Sequence, residues 1–198
     1  MKMFIAIPAL DEKDHLPELI GDLTRQTYTD FKVFICVNNP DEWWSDPENI
    51  QKCESNKAAL KFLRKITWLD ITVIDRSSPG EGWKGKRRGV GYARKELFEA
   101  IVREAEDDDI VISLDADTRI RRGFIESVRD IFRKEKKALL LANPYYHELT
   151  GDDAADRAIL RYELYMRYYL LNLMKINSPY AFTALGSAIS FRIIGYRK

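Results

Sequence analysis

Two carboxylates, Asp115 and Asp117, directly follow the apolar run 110–114. Side chains two residues apart on an extended segment point the same way. The pair could therefore hold a hard divalent cation, Mg²⁺ or Mn²⁺, through oxygen ligands, with further oxygens supplied by a diphosphate. The alternative is a capping pair ahead of a helix near Arg121, because aspartate is a favourable helix N-cap.

Neighbouring residues argue against two other uses of this aspartate pair. An EF-hand loop starting at Asp115 would place Arg119 and Ile120 where an oxygen ligand and a glycine are required. Haloacid-dehalogenase phosphatases have Thr or Val two residues after the second aspartate, and Arg119 occupies that position here. A phosphatase of that class is kept as one hypothesis for the function, and it predicts that Asp115 forms a phosphoaspartate.

A second chemical feature is a basic loop that contains six cations and no acid: Lys84, Lys86, Arg87, Arg88, Arg94 and Lys95. The loop opens a helix, so free N–H groups and the helix dipole would add to the attraction for a diphosphate. The alternative is a solvated basic face. The glycines of 89–91 do not form a dinucleotide fingerprint, because they follow a long loop and Arg94 replaces the third glycine.

The elements that must position these residues alternate along the chain. Strand-length apolar runs occur at 3–8, 32–37, 71–74, 110–114, 138–142 and, as a mixed final run, 184–193. Helical spacing follows at 16–23, 50–66, 90–105, 124–132 and 153–174. The alternation predicts one α/β domain, 1–198, with a Rossmann-like, mostly parallel sheet and helices on both faces.

In such sheets, ligands bind outside the carboxyl ends of the strands. Those ends carry four polar clusters here: Asp11-Glu12, Asn38-Asn39, Asp75-Arg76 and Asp115-Ala116-Asp117. The sequence therefore predicts one site at that edge of the sheet.

Composition excludes several classes of function. The 32 basic and 31 acidic residues give a net charge of +1, which offers no bulk attraction for nucleic acid. Cys36 and Cys53 are too few for a disulfide framework and are expected to be buried thiols. No signal peptide and no apolar run of about 18 residues occur, so the expected location is the cytoplasm.

The aromatic segment 157–175 is either a core helix or a peripheral contact with the inner face of a membrane or a lipid-linked acceptor.

Four motifs, in this order, resemble the family 2 glycosyltransferases, which have the GT-A fold. Residues 5–12 (IAIPALDE) look like that family's first strand and P-x-x-N-E turn, with Asp11 in place of Asn. Residues 89–95 (GVGYARK) look like its G-x-x-x-A-R-N helix start, with Lys95 in place of Asn. Residues 112–117 look like the D-x-D strand, and 186–192 (GSAISFR) look like the acceptor-side G-x-x-x-x-x-R segment.

The resemblance implies a nucleotide-diphosphate sugar donor, with UDP favoured, and a saccharide or lipid-linked acceptor in surface polysaccharide or glycolipid assembly. Glu12 and Asp115 would contact the nucleoside, and Asp117 would bind the Mn²⁺ or Mg²⁺ that bridges the phosphates. The implied donor-binding set is Pro8, Asp11, Glu12, Asn38, Lys86, Arg87, Gly89, Arg94, Asp115, Ala116 and Asp117. The implied acceptor-side set is Gly186, Ser187 and Arg192.

Two departures from the family pattern qualify this expectation. Asn38-Asn39 stands where the family often has an acid, which leaves the nucleotide base open. No catalytic-base motif follows the 186–192 segment, and Glu148, Asp152 and Asp153 are the remaining acids in that region. The base is therefore expected beyond Lys198, in a domain truncated at its carboxyl end. The alternative is a domain that binds nucleotide sugars without catalysis.

Overall fold

The computed structural model describes residues 1–85, 88–182 and 186–197, so the predictions for Lys86 and Arg87 lie outside the described residues. Six strands form one sheet in the order β3-β2-β1-β4-β6-β5. The strands are β1 (Met3–Ala9), β2 (Phe31–Asn38), β3 (Ile71–Arg76), β4 (Ile110–Leu114), β5 (Leu140–Ala142) and β6 (Ala188–Arg192). The helices are α1 (Leu16–Thr24), α2 (Ile50–Leu63), α3 (Val90–Val102), α4 (Phe124–Lys134), α5 (Asp153–Lys175) and α6 (Ile193–Arg197), with a 3₁₀ turn at Asp41–Ser45.

The central strands are mostly apolar because helices cover both of their faces. One core cluster joins alternate residues of β1, β2 and β4 to α1, α2 and α4. The other cluster joins the intervening residues to α3 and Ile193 of α6. The predicted α/β class with helices on both faces is confirmed. Both cysteines are buried free thiols, and burial raises the pKa of Cys36 to about 12.

Strand directions differ at one side of the sheet. The pairs β1–β2, β2–β3 and β1–β4 are parallel, as predicted. The final strand, β6, begins at Ala188 and lies antiparallel between β4 and β5; the predicted start of this run, residue 184, lies outside the described residues. Consequently β5 runs in the same direction as β4, and its carboxyl end lies at the same edge of the sheet.

The long helix α5 is not the core helix that one interpretation of the sequence favoured. Asp152 caps its start, with the side chain accepting a hydrogen bond of 2.8 Å from the backbone N–H of Ala155. None of residues 153–175 is buried, and several large apolar side chains are more than half exposed, among them Leu164 and Tyr168. Within the described residues, no helix has the length and apolar character needed to cross a membrane.

Candidate active site

The polar clusters after β1 to β4 lie at one edge of the sheet, as the register shows. Ala9 pairs with Val37, and Val37 pairs with Asp75, so β1, β2 and β3 end side by side. Ala6 pairs with Ser113, one residue before β4 ends. Carboxylate, amide and guanidinium groups from four strands and their loops therefore meet where parallel sheets bind ligands.

Asp115 forms an ion pair with Arg94, the fifth residue of α3. The side chain of Arg94 is 17% exposed and that of Asp115 is 38% exposed. Nε of Arg94 is buried and has no hydrogen-bond partner within the described part of the chain. The pair anchors the start of α3 to the end of β4, and it neutralises one of the two aspartates.

Gly186, from the acceptor-side motif, packs directly against Arg94. A Cβ atom at Gly186 would lie 2.8 Å from Nη1 and 2.9 Å from Cζ of that arginine, closer than non-bonded atoms approach. The hydroxyl of Ser113 donates a 2.5 Å hydrogen bond to the carbonyl of Gly186. The structure thus brings together the donor-side Arg94, the D-x-D strand and the acceptor-side glycine, with Ser187 next to it ahead of β6.

Asp117 and Glu12 form the negative part of the site. Burial, together with the negative charge of Asp117, raises the pKa of Glu12, while a hydrogen bond from His15 partly offsets both effects. Nδ1 of His15 lies 2.8 Å from Oε2 of Glu12, and this hydrogen bond raises the pKa of His15. The carboxylate of Glu12, with a pKa raised partly by a second carboxylate nearby, marks a suitable place for a cation.

The carboxylates at this edge of the sheet fit a metal ion that binds together with a phosphate-containing ligand. Among the residues that the structure describes, no three His, Cys, Asp or Glu side chains are grouped to hold an ion. Asp115 already pairs with Arg94, so Asp117, Glu12 and the exposed Asp11 are the described carboxylates left at this edge for a cation. Mg²⁺ and similar ions are commonly held by one or two carboxylates plus substrate phosphates. The residues present therefore fit an ion that also binds a diphosphate.

A buried asparagine network shapes the turn that carries Glu12, and sequence reasoning missed its central member, Asn56. Asp11 adopts a left-handed conformation with φ of 63°, and its backbone N–H donates to Oδ1 of Asn56 at 2.9 Å. Nδ2 of Asn56 donates to the carbonyl of Asn38 at 3.0 Å and to Oδ1 of Asn39 at 2.8 Å. One helical side chain thus ties the end of β1 to the end of β2.

Several predicted donor-binding residues have side chains that are already enclosed. Asn38 is buried, donates to the carbonyl of Ala9 at 2.9 Å and accepts from the indole N–H of Trp83 at 3.1 Å. A nucleotide would have to replace one of these partners to bind its amide. Pro8 and Ala116 are buried as well, which leaves Ala116 its backbone as the part able to contact a ligand.

Gly89 provides the entry into α3. It is the N-cap residue with φ of 96°, a conformation that glycine adopts without the steric cost borne by other residues. The first turn of α3 contains no acidic residue. Arg88 precedes it and forms an ion pair of 3.4 Å with Glu42. The helix start is therefore electropositive next to the Arg94–Asp115 pair.

The acceptor-side prediction for Arg192 is wrong. Arg192 pairs with Ile110, at the amino end of β4, so roughly 13 Å of strand separates it from the edge that carries Asp115. Its buried guanidinium donates to backbone carbonyls of Ala138, Asp108 and Phe132. Because β6 is antiparallel, its last residue lies at the opposite edge from Gly186, and Arg192 joins loops there.

Comparisons with known proteins support the fold. No protein-family model matches the chain, and a comparison with curated proteins gave no match. The crystal structure of S. aureus TarS 1–349 in complex with UDP-GlcNAc matches with 17% identity and a TM-score of 0.52, over 77% of this chain and 36% of that one. The apo-form glycosyltransferase GlyE of Streptococcus pneumoniae TIGR4 matches with 14% identity and a TM-score of 0.41, over 95% and 42%. Mouse xyloside xylosyltransferase 1 matches with 11% identity and a TM-score of 0.42, over 100% and 68%.

The chain and the TarS structure share the arrangement of their strands and helices. The chain spans 36% of the TarS structure bound to UDP-GlcNAc. At such low identity the likeness establishes the fold alone. The protein has a GT-A-like fold, and the candidate site lies at the carboxyl edge of its sheet.

Proposed function

We propose that the protein binds a nucleotide-diphosphate sugar at the carboxyl edge of the sheet and transfers the sugar to a hydroxyl group of an acceptor. The observation that carries this proposal is the joining of three motif segments by direct contacts, with Arg94 touching both Asp115 and Gly186. The resemblance to family 2 glycosyltransferases adds UDP as the favoured nucleotide and a saccharide or lipid-linked molecule as the acceptor. The UDP-GlcNAc in the TarS complex agrees with that choice of nucleotide.

The charges at the site suit a donor of this kind. The start of α3 and Arg94 offer positive potential to the phosphates, and Lys86 and Arg87 are proposed as further phosphate contacts. Glu12 and Asp117 are carboxylates that a diphosphate would repel in the absence of a cation. The donor therefore requires both the basic side of the site and a metal ion on the acidic side.

Asp117 is the proposed protein ligand of that Mn²⁺ or Mg²⁺ ion, with Glu12 close by. A bound divalent cation acts as a Lewis acid that neutralises the departing diphosphate. Asp115, neutralised by Arg94, is instead available to accept a hydrogen bond from a ribose hydroxyl through its exposed side. The two aspartates of the motif thus have different roles because their neighbours differ.

Calorimetry tests the proposal directly. Titration of UDP and of UDP-GlcNAc into the protein is expected to show binding in Mn²⁺ and no binding in EDTA. Asp117→Asn should weaken binding in Mn²⁺ roughly a hundredfold, and Asp115→Asn roughly tenfold, about 2.7 and 1.4 kcal/mol. A matched control is Asp130→Asn, an exposed aspartate of α4 outside the site.

The outcomes separate the parts of the proposal. Equal affinity of the wild type and Asp117→Asn in Mn²⁺ would remove the metal role of Asp117. Unchanged UDP affinity in a Lys86→Ala, Arg87→Ala double variant would remove both residues from the donor site. Failure of both UDP and GDP to bind under either condition would refute the proposed function.

A further inference from the structure

An imidazole–carboxylate pair, His147 with Glu163, lies outside the site described above. Nδ1 of His147 is 2.7 Å from Oε1 of Glu163, and the backbone N–H of His147 donates to the same oxygen at 3.1 Å. Arg167 occupies the other carboxylate oxygen, Oε2, at 2.9 Å. Tyr145 and Tyr162 each meet the imidazole edge to face, with ring centroids 5.8 and 5.4 Å away.

This arrangement fixes which nitrogen of the imidazole carries hydrogen. Hydrogen bonds from His147 and Arg167 hold the pKa of Glu163 below its usual range, so Glu163 is ionised at neutral pH and can only accept hydrogen bonds. Nδ1 must therefore be the donor. In a neutral imidazole, Nε2 then has a free lone pair and can accept a proton. The side chain of His147 is 45% exposed and that of Glu163 is 16% exposed, so the ring keeps an open side.

The segment that carries His147 leaves the sheet at the edge that carries the proposed donor site. The backbone N–H of Asn143 donates to the carbonyl of Ala188 at 2.8 Å, and Ala188 pairs with Leu114. Asn143 is thus level with the end of β4, across one intervening strand and about 10 Å to the side. The chain leaves β5 at that edge, and His147 follows four residues after Asn143.

We propose that His147 is the general base that deprotonates the acceptor hydroxyl, and that Glu163 is the positioning residue that orients it. The inference rests on the proposed transfer function. In the step, Nε2 takes the proton of the attacking hydroxyl as its oxygen forms a bond to the anomeric carbon. The bond between that carbon and the diphosphate oxygen breaks, and the nucleoside diphosphate leaves with the electron pair. The imidazolium, stabilised by Glu163, then returns its proton to water.

Slow donor hydrolysis, in which water replaces the acceptor, provides an assay that requires no knowledge of the acceptor. UDP release from UDP-GlcNAc in Mn²⁺ is measured for the wild type and for His147→Asn, which keeps an N–H donor near the position of Nδ1 but has no base at Nε2. The variant should lose roughly a hundredfold in rate. Its UDP affinity and melting temperature should match those of the wild type, because the contact with Glu163 is retained.

The pH profile distinguishes a chemical role from a structural one. The titratable groups facing the imidazole are Glu163 and Tyr162 on α5 and Tyr145 on the segment after β5, with Arg167 behind Glu163. The wild-type rate should fall in acid as the imidazole is protonated, and the residual rate of His147→Asn should lack that acid limb. Glu163→Gln should shift the pH at which the rate falls and lower the rate roughly tenfold. If Glu163 only stabilised the fold, the variant would be less stable but the pH dependence of its rate would be unchanged.

Glu148→Gln is the matched control, because Glu148 is the adjacent exposed acid and should not affect the rate. A wild-type rate in His147→Asn overturns the assignment, and so does loss of activity in Glu148→Gln alone. Donor binding without turnover by the wild type also overturns it, in favour of a domain that binds without catalysis. Absence of UDP and GDP binding instead refutes the proposed function itself.

Discussion

Replacing Asn56 with alanine is expected to lower the free energy of unfolding by about 3–5 kcal/mol. The change removes three hydrogen bonds and leaves the Asp11 N–H, the Asn38 carbonyl and the Asn39 side-chain oxygen without this partner. An unsatisfied buried group costs about 1–3 kcal/mol, and water entering the vacated space recovers part of that cost. The higher helix propensity of alanine offsets roughly 0.6 kcal/mol.

Urea unfolding followed by circular dichroism measures this effect, and the adjacent residue supplies the control. Ser55 is also buried on α2, but its hydroxyl has no hydrogen-bond partner among the described residues. Ser55→Ala should therefore leave stability unchanged or raise it by about 0.5 kcal/mol through helix propensity. A loss below about 1 kcal/mol in Asn56→Ala, or an equal loss in both variants, would refute the network argument.

The same change should also affect binding. Asn56 holds Asp11 in its left-handed conformation, and Glu12 follows directly. We expect the folded fraction of Asn56→Ala to bind UDP in Mn²⁺ roughly tenfold more weakly, since the turn must be ordered on binding. Calorimetry at low temperature, where the variant is folded, measures this, and wild-type affinity would show that the turn orders without Asn56.

Three further predictions concern other parts of the protein. Folding favours the protonated form of Glu12, so its contribution to stability is present below its ordinary pKa of 4.5 and is lost as pH rises through the raised value. In the absence of metal, Glu12→Gln should therefore have a higher melting temperature than the wild type at pH 7 and the same melting temperature at pH 3.5. Equal melting temperatures at both pH values would contradict the argument from burial. Arg192→Met should cost about 3 kcal/mol in urea yet leave UDP affinity unchanged, whereas weaker binding would restore its acceptor-side role. If α5 contacts a membrane, the protein should sediment with anionic vesicles and Leu164→Glu with Tyr168→Glu should not; absence of wild-type sedimentation would exclude that contact.

The positions of the main site residues were predictable because strand ends in a parallel sheet are local in sequence. The run 110–114 places Asp115 at the end of a strand, and the break after Ala9 does the same for Glu12. The mostly parallel sheet with helices on both faces followed from the alternation of strand and helix patterns. These predictions depended on periodicity and turn residues, which the sequence contains in full.

The position of Arg192 could not be predicted from the sequence, whereas the role of Asn56 could have been predicted but was missed. A five-residue strand has the same pattern in either direction, so nothing local indicated that β6 is antiparallel and that Arg192 lies at the far edge. Asn56 did have a signal. It lies on the stripe formed by Cys53, Leu60 and Leu63, all buried on α2, and a polar residue on an apolar stripe indicates a buried hydrogen-bonded role.

The place of β6 in the sheet has a consequence for synthesis of the protein on the ribosome. β1, β2, β3 and β4 emerge in the order that lets them pair, but β6 lies between β4 and β5 and emerges much later than both. Until residues 188–192 appear, one edge of β4 has no partner, and unpaired strand edges favour association between nascent chains. The pairing of β4 with β6 also requires the long loop between them to close, which slows folding. A pause in translation ahead of residue 188 would therefore expose the chain at its most aggregation-prone stage.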